Sequence, residues 1–290
     1  MGNASSANAI HRASRDGDIS QVESLLQQGA DPNVRDDVLE KTPLHMACSA
    51  GCEGAARALL IAGADVGTID DDGTTPLHMA CIEGHEACVR LLLEHGADPS
   101  LMDAYNFSPL HLASEYGWPS IVRMLLASGA SLATANADGT PLLYVACQEG
   151  HTEIVALLID AGCLPSQATP EGRTPLHAAS HAGHIECVKL LLASGAAVSP
   201  ADKHGFTPLH LARDYRRTGC AGVLVARGAP ELPRPAPPPR EDDDDDDEDR
   251  DGRGPRASRR DERDGGGTSA EGRPERSRSR SREPSSPPKK

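Results

Sequence analysis

One stretch of this chain recurs at a nearly constant step, and that recurrence decides what the chain can fold into. Leu-His-x-Ala, or a near match, centres on Ala13, Ala47, Ala80, Ala113, Ala146, Ala179 and Ala212. The step is 34 residues once and 33 residues five times. A second marker keeps the same step: Gly29-Ala30, Gly63-Ala64, Gly96-Ala97, Gly129-Ala130, Gly162-Cys163, Gly195-Ala196 and Gly228-Ala229. Self-similarity at this period specifies stacked units, each burying its apolar face only against its neighbours, rather than one globular core.

Each unit reads the same way. In Thr75-Pro76-Leu77-His78-Met79-Ala80-Cys81, Thr75 is placed to cap a helix and Pro76 stands at its first position, where a missing N–H costs nothing. Leu77, Ala80 and Cys81 have the spacing of a buried helical face. Gly84 ends that helix by permitting a left-handed turn. A second helix from about Glu86 turns Cys88, Val89, Leu91 and Leu92 inward, and Gly96 closes it. Asp98-Pro99 and the polar stretch to Phe107 form a projecting turn into the next unit. The first unit, Asn8 to Gly29, lacks a preceding turn and reads as a cap.

These residues identify a resemblance. The Gly-x-Thr-Pro-Leu-His signature, the Gly-His opening of the second helix and the Gly-Ala-Asp close resemble the ankyrin-repeat family over roughly residues 8–230, about seven repeats. The resemblance implies an all-α solenoid with short β-hairpin fingers at right angles to antiparallel helix pairs, curved so that a concave face meets a partner. It also gives the histidines their work. His11, His45, His78, His111, His177 and His210 hold the motif position, while His85, His151 and His184 follow the turn Gly. In such stacks they hydrogen-bond backbone between helices and fingers. Three departures stand out. The finger Arg35–Lys41 carries one extra residue and has Glu40 where Gly is usual; Tyr144 replaces a motif His; and Gly219 and Gly222 weaken the last helix.

The ends differ from the body. Met-Gly-Asn-Ala-Ser-Ser fits the N-myristoylation pattern, with Gly2 as acceptor and residues 1–7 expected to be flexible. A single acyl chain gives only weak, reversible membrane attachment. Residues 231–290 are expected to be disordered: a Pro-rich stretch, nine consecutive acids from Glu241 to Asp249, then an Arg/Ser-rich end. That tail holds 17 acidic and 15 basic residues, leaving the body 26 acidic and 14 basic, net −12. A body so acidic argues against nucleic acid as its main ligand, although the Arg/Ser end could make weak contact with one. No apolar run approaches the roughly 18 residues needed to cross a bilayer. The eight cysteines show no metal-ligand spacing; Cys48, Cys81 and Cys147 share one repeat slot and Cys88 and Cys187 another, as small buried hydrophobes do.

No phosphate loop, HExxH, GxSxG or Ser–His–Asp arrangement appears outside the repeat frame, so neither catalysis nor a cofactor is expected. The reading is a non-catalytic scaffold or adaptor for another protein, expected to be monomeric and cytoplasmic, with membrane association through Gly2. Two alternatives stay open: a substrate-recruiting adaptor of a ubiquitin ligase or kinase complex, and a nuclear or RNA-processing factor acting through the Arg/Ser tail. The resemblance places six partner-facing positions in each unit. Around Ala113 these include Met102, Tyr105, Phe107, Glu115 and Tyr116, and around Ala212 they include Phe206 and Tyr215. Five of the chain's seven aromatics fall in these slots. Met102, Tyr105, Phe107 and Tyr116 are expected to form the central anchor for apolar side chains of a partner with a basic margin, rimmed by Asp71, Asp72 and Glu83.

Overall fold

The computed structural model describes residues 3–133 and 135–235. The expectations for Gly2 and for residues 236–290, the acidic run and the Arg/Ser end included, lie outside those residues.

Among them the chain forms seven helix pairs. The first three are α1 (Asn3–Asp16) with α2 (Ile19–Gln27), α3 (Pro43–Ser49) with α4 (Glu53–Ile61), and α5 (Pro76–Glu83) with α6 (Glu86–Glu94). Then come α7 (Pro109–Tyr116) with α8 (Pro119–Ala127) and α9 (Leu142–Glu149) with α10 (Thr152–Asp160). The last are α11 (Pro175–Ala182) with α12 (Ile185–Ala193) and α13 (Pro208–Asp214) with α14 (Thr218–Ala226). Odd-numbered helices pack on odd, even on even, and each pair packs within itself. The result is an all-α solenoid, as the period requires. The first helix starts at Asn3, upstream of the repeat boundary expected at Asn8.

The local causes are those the motif carries. Thr75 caps α5 by accepting the His78 N–H on its side chain, Pro76 occupies the first turn, and Gly84 leaves the helix at φ 79°. Leu77, Ala80 and Cys81 are buried, as are Cys88, Val89, Leu91 and Leu92 on α6. The motif histidine then works in both directions. His45 Nδ1 accepts the Thr42 N–H at 3.1 Å, and Nε2 lies 2.9 Å from the Thr74 carbonyl in the next unit. A carbonyl can only accept, so the proton sits on Nε2 and the ring is neutral. The same reach links His78 to the Phe107 carbonyl at 3.1 Å and His177 to the Phe206 carbonyl at 3.0 Å. Burial pushes the pKa of His45 down to about 4 and lowers those of His78 and His177.

The fingers differ from the expected β-hairpins. Among the described residues no strand forms; there is one isolated bridge, Ala135 to Pro141. Each finger is instead a turn closed by its own first residue. Asp70 Oδ1 accepts the N–H groups of Asp72 (3.1 Å) and Thr74 (2.8 Å), and Asp103 Oδ1 those of Tyr105 (2.9 Å) and Phe107 (2.8 Å). A carboxylate that satisfies two backbone donors removes the need for a ladder partner. In the first finger Asp36 accepts from Val38 and Leu39, and Glu40 takes a left-handed φ of 53°. The extra residue is absorbed there, and the turn survives without its glycine.

Successive fingers are tied by one backbone bond each. Asp71 N–H donates to the Leu39 carbonyl, Ala104 to Asp72, Ala137 to Tyr105 and Lys203 to Glu171. One tie is missing. The equivalent donor in the fifth finger is Pro170, which has no N–H to give the Asp138 carbonyl.

Candidate protein-binding face

Finger tips and the C-terminal ends of the odd helices share one face of the stack, and the sequence-predicted residues fall into two groups on it. The first belongs to the third and fourth units. Met102, Tyr105 and Tyr116 are 38%, 41% and 39% exposed, large side chains that the core does not take up. Asp71, Asp72 and Glu83 are exposed beside them, and the Ala104 N–H bond to the Asp72 carbonyl holds the acidic finger against the one that carries Tyr105. Glu115 is half-buried, and its carbonyl lies 3.0 Å from His151 Nε2. The second group, Phe206 and Tyr215, lies on the last unit, three units further along the stack. The structure therefore does not unite all ten residues in one patch.

Phe107 needs correction. It is only 9% exposed, belongs to the core cluster and stands edge-on to the His111 ring, with centroids 6.0 Å apart. Its carbonyl receives the His78 ring proton. Phe107 therefore braces its finger and does not anchor a partner. Phe206 repeats the arrangement in half-buried form, edge-on to His210 at 6.2 Å. Tyr215 is 53% exposed and packs edge-on to the His181 ring at 4.1 Å.

Sequence reasoning missed Trp118. It follows the turn Gly117, in the slot that histidine fills in other units, and its indole N–H donates to the Ile82 carbonyl at 3.3 Å. His85, His151 and His184 reach the carbonyls of Ser49, Glu115 and Gln148 in the same way. The indole lies where a Cβ on Gly84 would stand, so only glycine fits there. Trp118 remains 37% exposed, two residues from Tyr116, and adds apolar surface to the same unit. The register of the Gly-His pair was the signal that could have found it.

Among the described residues no three His, Cys, Asp or Glu side chains converge as metal ligands, and no helix is long and apolar enough to cross a membrane. The eight cysteines are free. Cys48, hydrogen-bonded to Cys88 and fully buried, has its pKa pushed up.

A family model for ankyrin repeats matches residues 10–103, 97–168 and 143–232. The chain belongs to the ankyrin-repeat family. Among solved structures it is similar to the human ASB11 ankyrin-repeat domain, with 31% identity and a TM-score of 0.69, over 77% of this chain and 99% of that one. Among curated proteins it resembles protein phosphatase 1 regulatory subunit 27 of human and mouse, 43% identical to each over 65 residues. That match spans 22% of this chain and 42% of the relatives' length. Ankyrin repeats imply protein–protein interaction. The departures of this ankyrin chain gather in its fifth unit. There the helix cap is Pro141, which offers no side-chain acceptor, and Tyr144 replaces the histidine that would reach the following finger.

Proposed function

We propose that the protein is a non-catalytic scaffold that captures a partner protein on the finger face of its third and fourth units. One observation carries the reading: Met102, Tyr105 and Tyr116 stay exposed in one unit, where Leu101 and Trp118 add to the same apolar surface. Aromatic side chains dominate interface energetics because they bury large area for few lost rotations. The face is pre-organised, since its two fingers are closed by the Asp70 and Asp103 carboxylates and tied to one another, so binding forfeits little conformational freedom. Asp71, Asp72 and Glu83 at the rim select a partner whose apolar anchor has a basic margin. Cytoplasmic placement and weak membrane attachment through Gly2 belong to the same proposal.

Replacing Tyr105 and Tyr116 together with Ala is expected to weaken capture of the natural partner at least about tenfold, a loss typical of hot-spot truncation. Because both rings are substantially exposed, the melting temperature is expected to move little. Capture that survives the double change would overturn the proposal, and a large fall in melting temperature would make the rings structural. For Gly2, an alkyne myristate analogue is expected to label the wild type in cells and to miss Gly2→Ala; label retained by the variant would rule the acylation out.

A further inference from the structure

The charge of the stack is polarised along its length. Residues 1–168 hold 22 acidic and 7 basic side chains, net −15, whereas residues 169–230 hold 4 acidic and 7 basic, net +3. Four of the seven cations of the second segment stand on its two fingers, Arg173 and Lys203, and on the turn that follows α13, Arg216 and Arg217; Arg173 also pairs with Asp202 at 3.3 Å. Arg217 Nε donates to the His181 carbonyl at 3.1 Å, and Tyr215 packs edge-on to the His181 ring. Arg173 and Arg217 both bring positive charge to bear on that imidazole, whose pKa partial desolvation and these two fields lower. Lys203 stands on the last finger, its ammonium group exposed and 3.9 Å from the exposed Glu171 carboxylate.

Two of these cations occupy positions that the rest of the stack fills otherwise. The turn between helices is Gly-His in three units, Gly84-His85, Gly150-His151 and Gly183-His184, and begins with glycine in every earlier unit. The last unit has Arg216-Arg217. Arg216 keeps the left-handed backbone, φ 56°, that glycine adopts freely and an L side chain adopts at a cost. Arg217 makes the backbone bond that histidine makes elsewhere, with a guanidinium in place of an imidazole. Strain retained where glycine would relieve it points to use of the side chain.

We propose that the finger face of the last two units, centred on His181, Tyr215, Arg216 and Arg217, is a second docking surface, which takes an acidic peptide segment of a partner protein. Guanidinium groups pair bidentately with carboxylates, and the exposed Tyr215 ring offers apolar contact between the charges. Nucleic acid fits this surface less well. A phosphate backbone requires cations along a track, whereas here they end at the sixth unit and meet a segment of net −15. The surface is separate from the Tyr105–Tyr116 patch and stands or falls without it.

The test is fluorescence anisotropy at low and physiological salt with a labelled peptide of repeated Glu-Glu-Leu. The protein is the full chain with Asp242–Asp247 changed to Asn, so that its own aspartates do not compete. Arg216→Gly with Arg217→His restores the Gly-His turn of other units and removes both charges. This double change is expected to weaken peptide binding about fivefold or more and to flatten its salt dependence, while the melting temperature holds or rises. Lys203→Ala, on a finger and away from that turn, is expected to weaken binding too, and keeps the test decisive should the double variant lose its fold. Absence of peptide binding to the parent chain, binding unchanged in these variants, or an equally charged oligothymidylate bound as tightly as the peptide would each overturn the proposal.

Discussion

At the scale of the residue, the motif histidine shows how one side chain serves two units at once. His45 is fully buried, and its neutral ring accepts from Thr42 and donates to the Thr74 carbonyl. A proton added to Nδ1 would turn an acceptor into a donor that faces another donor. With a folded pKa of about 4 against the ordinary 6.5, the unfolded chain binds more protons throughout that interval. Stability is therefore full above about pH 6.5 and is lost as pH falls toward 4. At pH 5 His45 alone is expected to cost about 2 kcal/mol, and His78 and His177 shift in the same direction. Urea denaturation at pH 7 and pH 5 measures it; a midpoint that does not fall would contradict the buried neutral ring. The repeat frame made this role legible, because the histidine recurs in step with its cap. The burial of Phe107 was not legible. The same slot holds Thr74, Thr140 and Arg173 in other units, so slot position alone does not say whether a ring faces the core or a partner.

At the scale of the element, the fifth unit is where local rules are most relaxed. Helix α9 starts at Leu142 behind Pro141, without the capping box of α3, α5, α7, α11 and α13. Loss of such a cap costs typically about 1 kcal/mol. Tyr144 carries no second ring nitrogen to reach forward, and its hydroxyl engages Arg173 instead. Amides of α9 are therefore expected to exchange with deuterium faster than those of α5 and α11 under native conditions, by roughly tenfold for each 1.4 kcal/mol of local stability missing. Equal protection across the three helices would show that packing alone sets local stability. The sequence exposed this element, since the shifted Thr140-Pro141 and the substituted histidine stand out against the period. Finger structure was less accessible: that a single carboxylate would replace a strand ladder depends on backbone geometry that the residue pattern does not specify.

At the scale of the whole molecule, a repeat stack is held by its nearest-neighbour seams, so the weakest seam governs how the array behaves. The seam between the fifth and sixth units is tied differently from the others: at position 144 a tyrosine hydroxyl reaches Arg173 where a histidine would reach the finger backbone, and at position 170 the finger N–H is absent. It also lies beside the boundary at which the net charge changes sign. Both departures could be read from the sequence once the period was known, but their coincidence at one seam emerges only when the partner of each bond is known. Seen as a mechanical object, the array is then not a uniform beam. A chain of like joints shares a load by like means, whereas a joint fastened differently passes it through other contacts. Pro170, by withholding one hydrogen, leaves this joint to the packing of α9 on α11 and to the Tyr144–Arg173 bond, so a ligand that gripped both arms would load side chains there and backbone elsewhere.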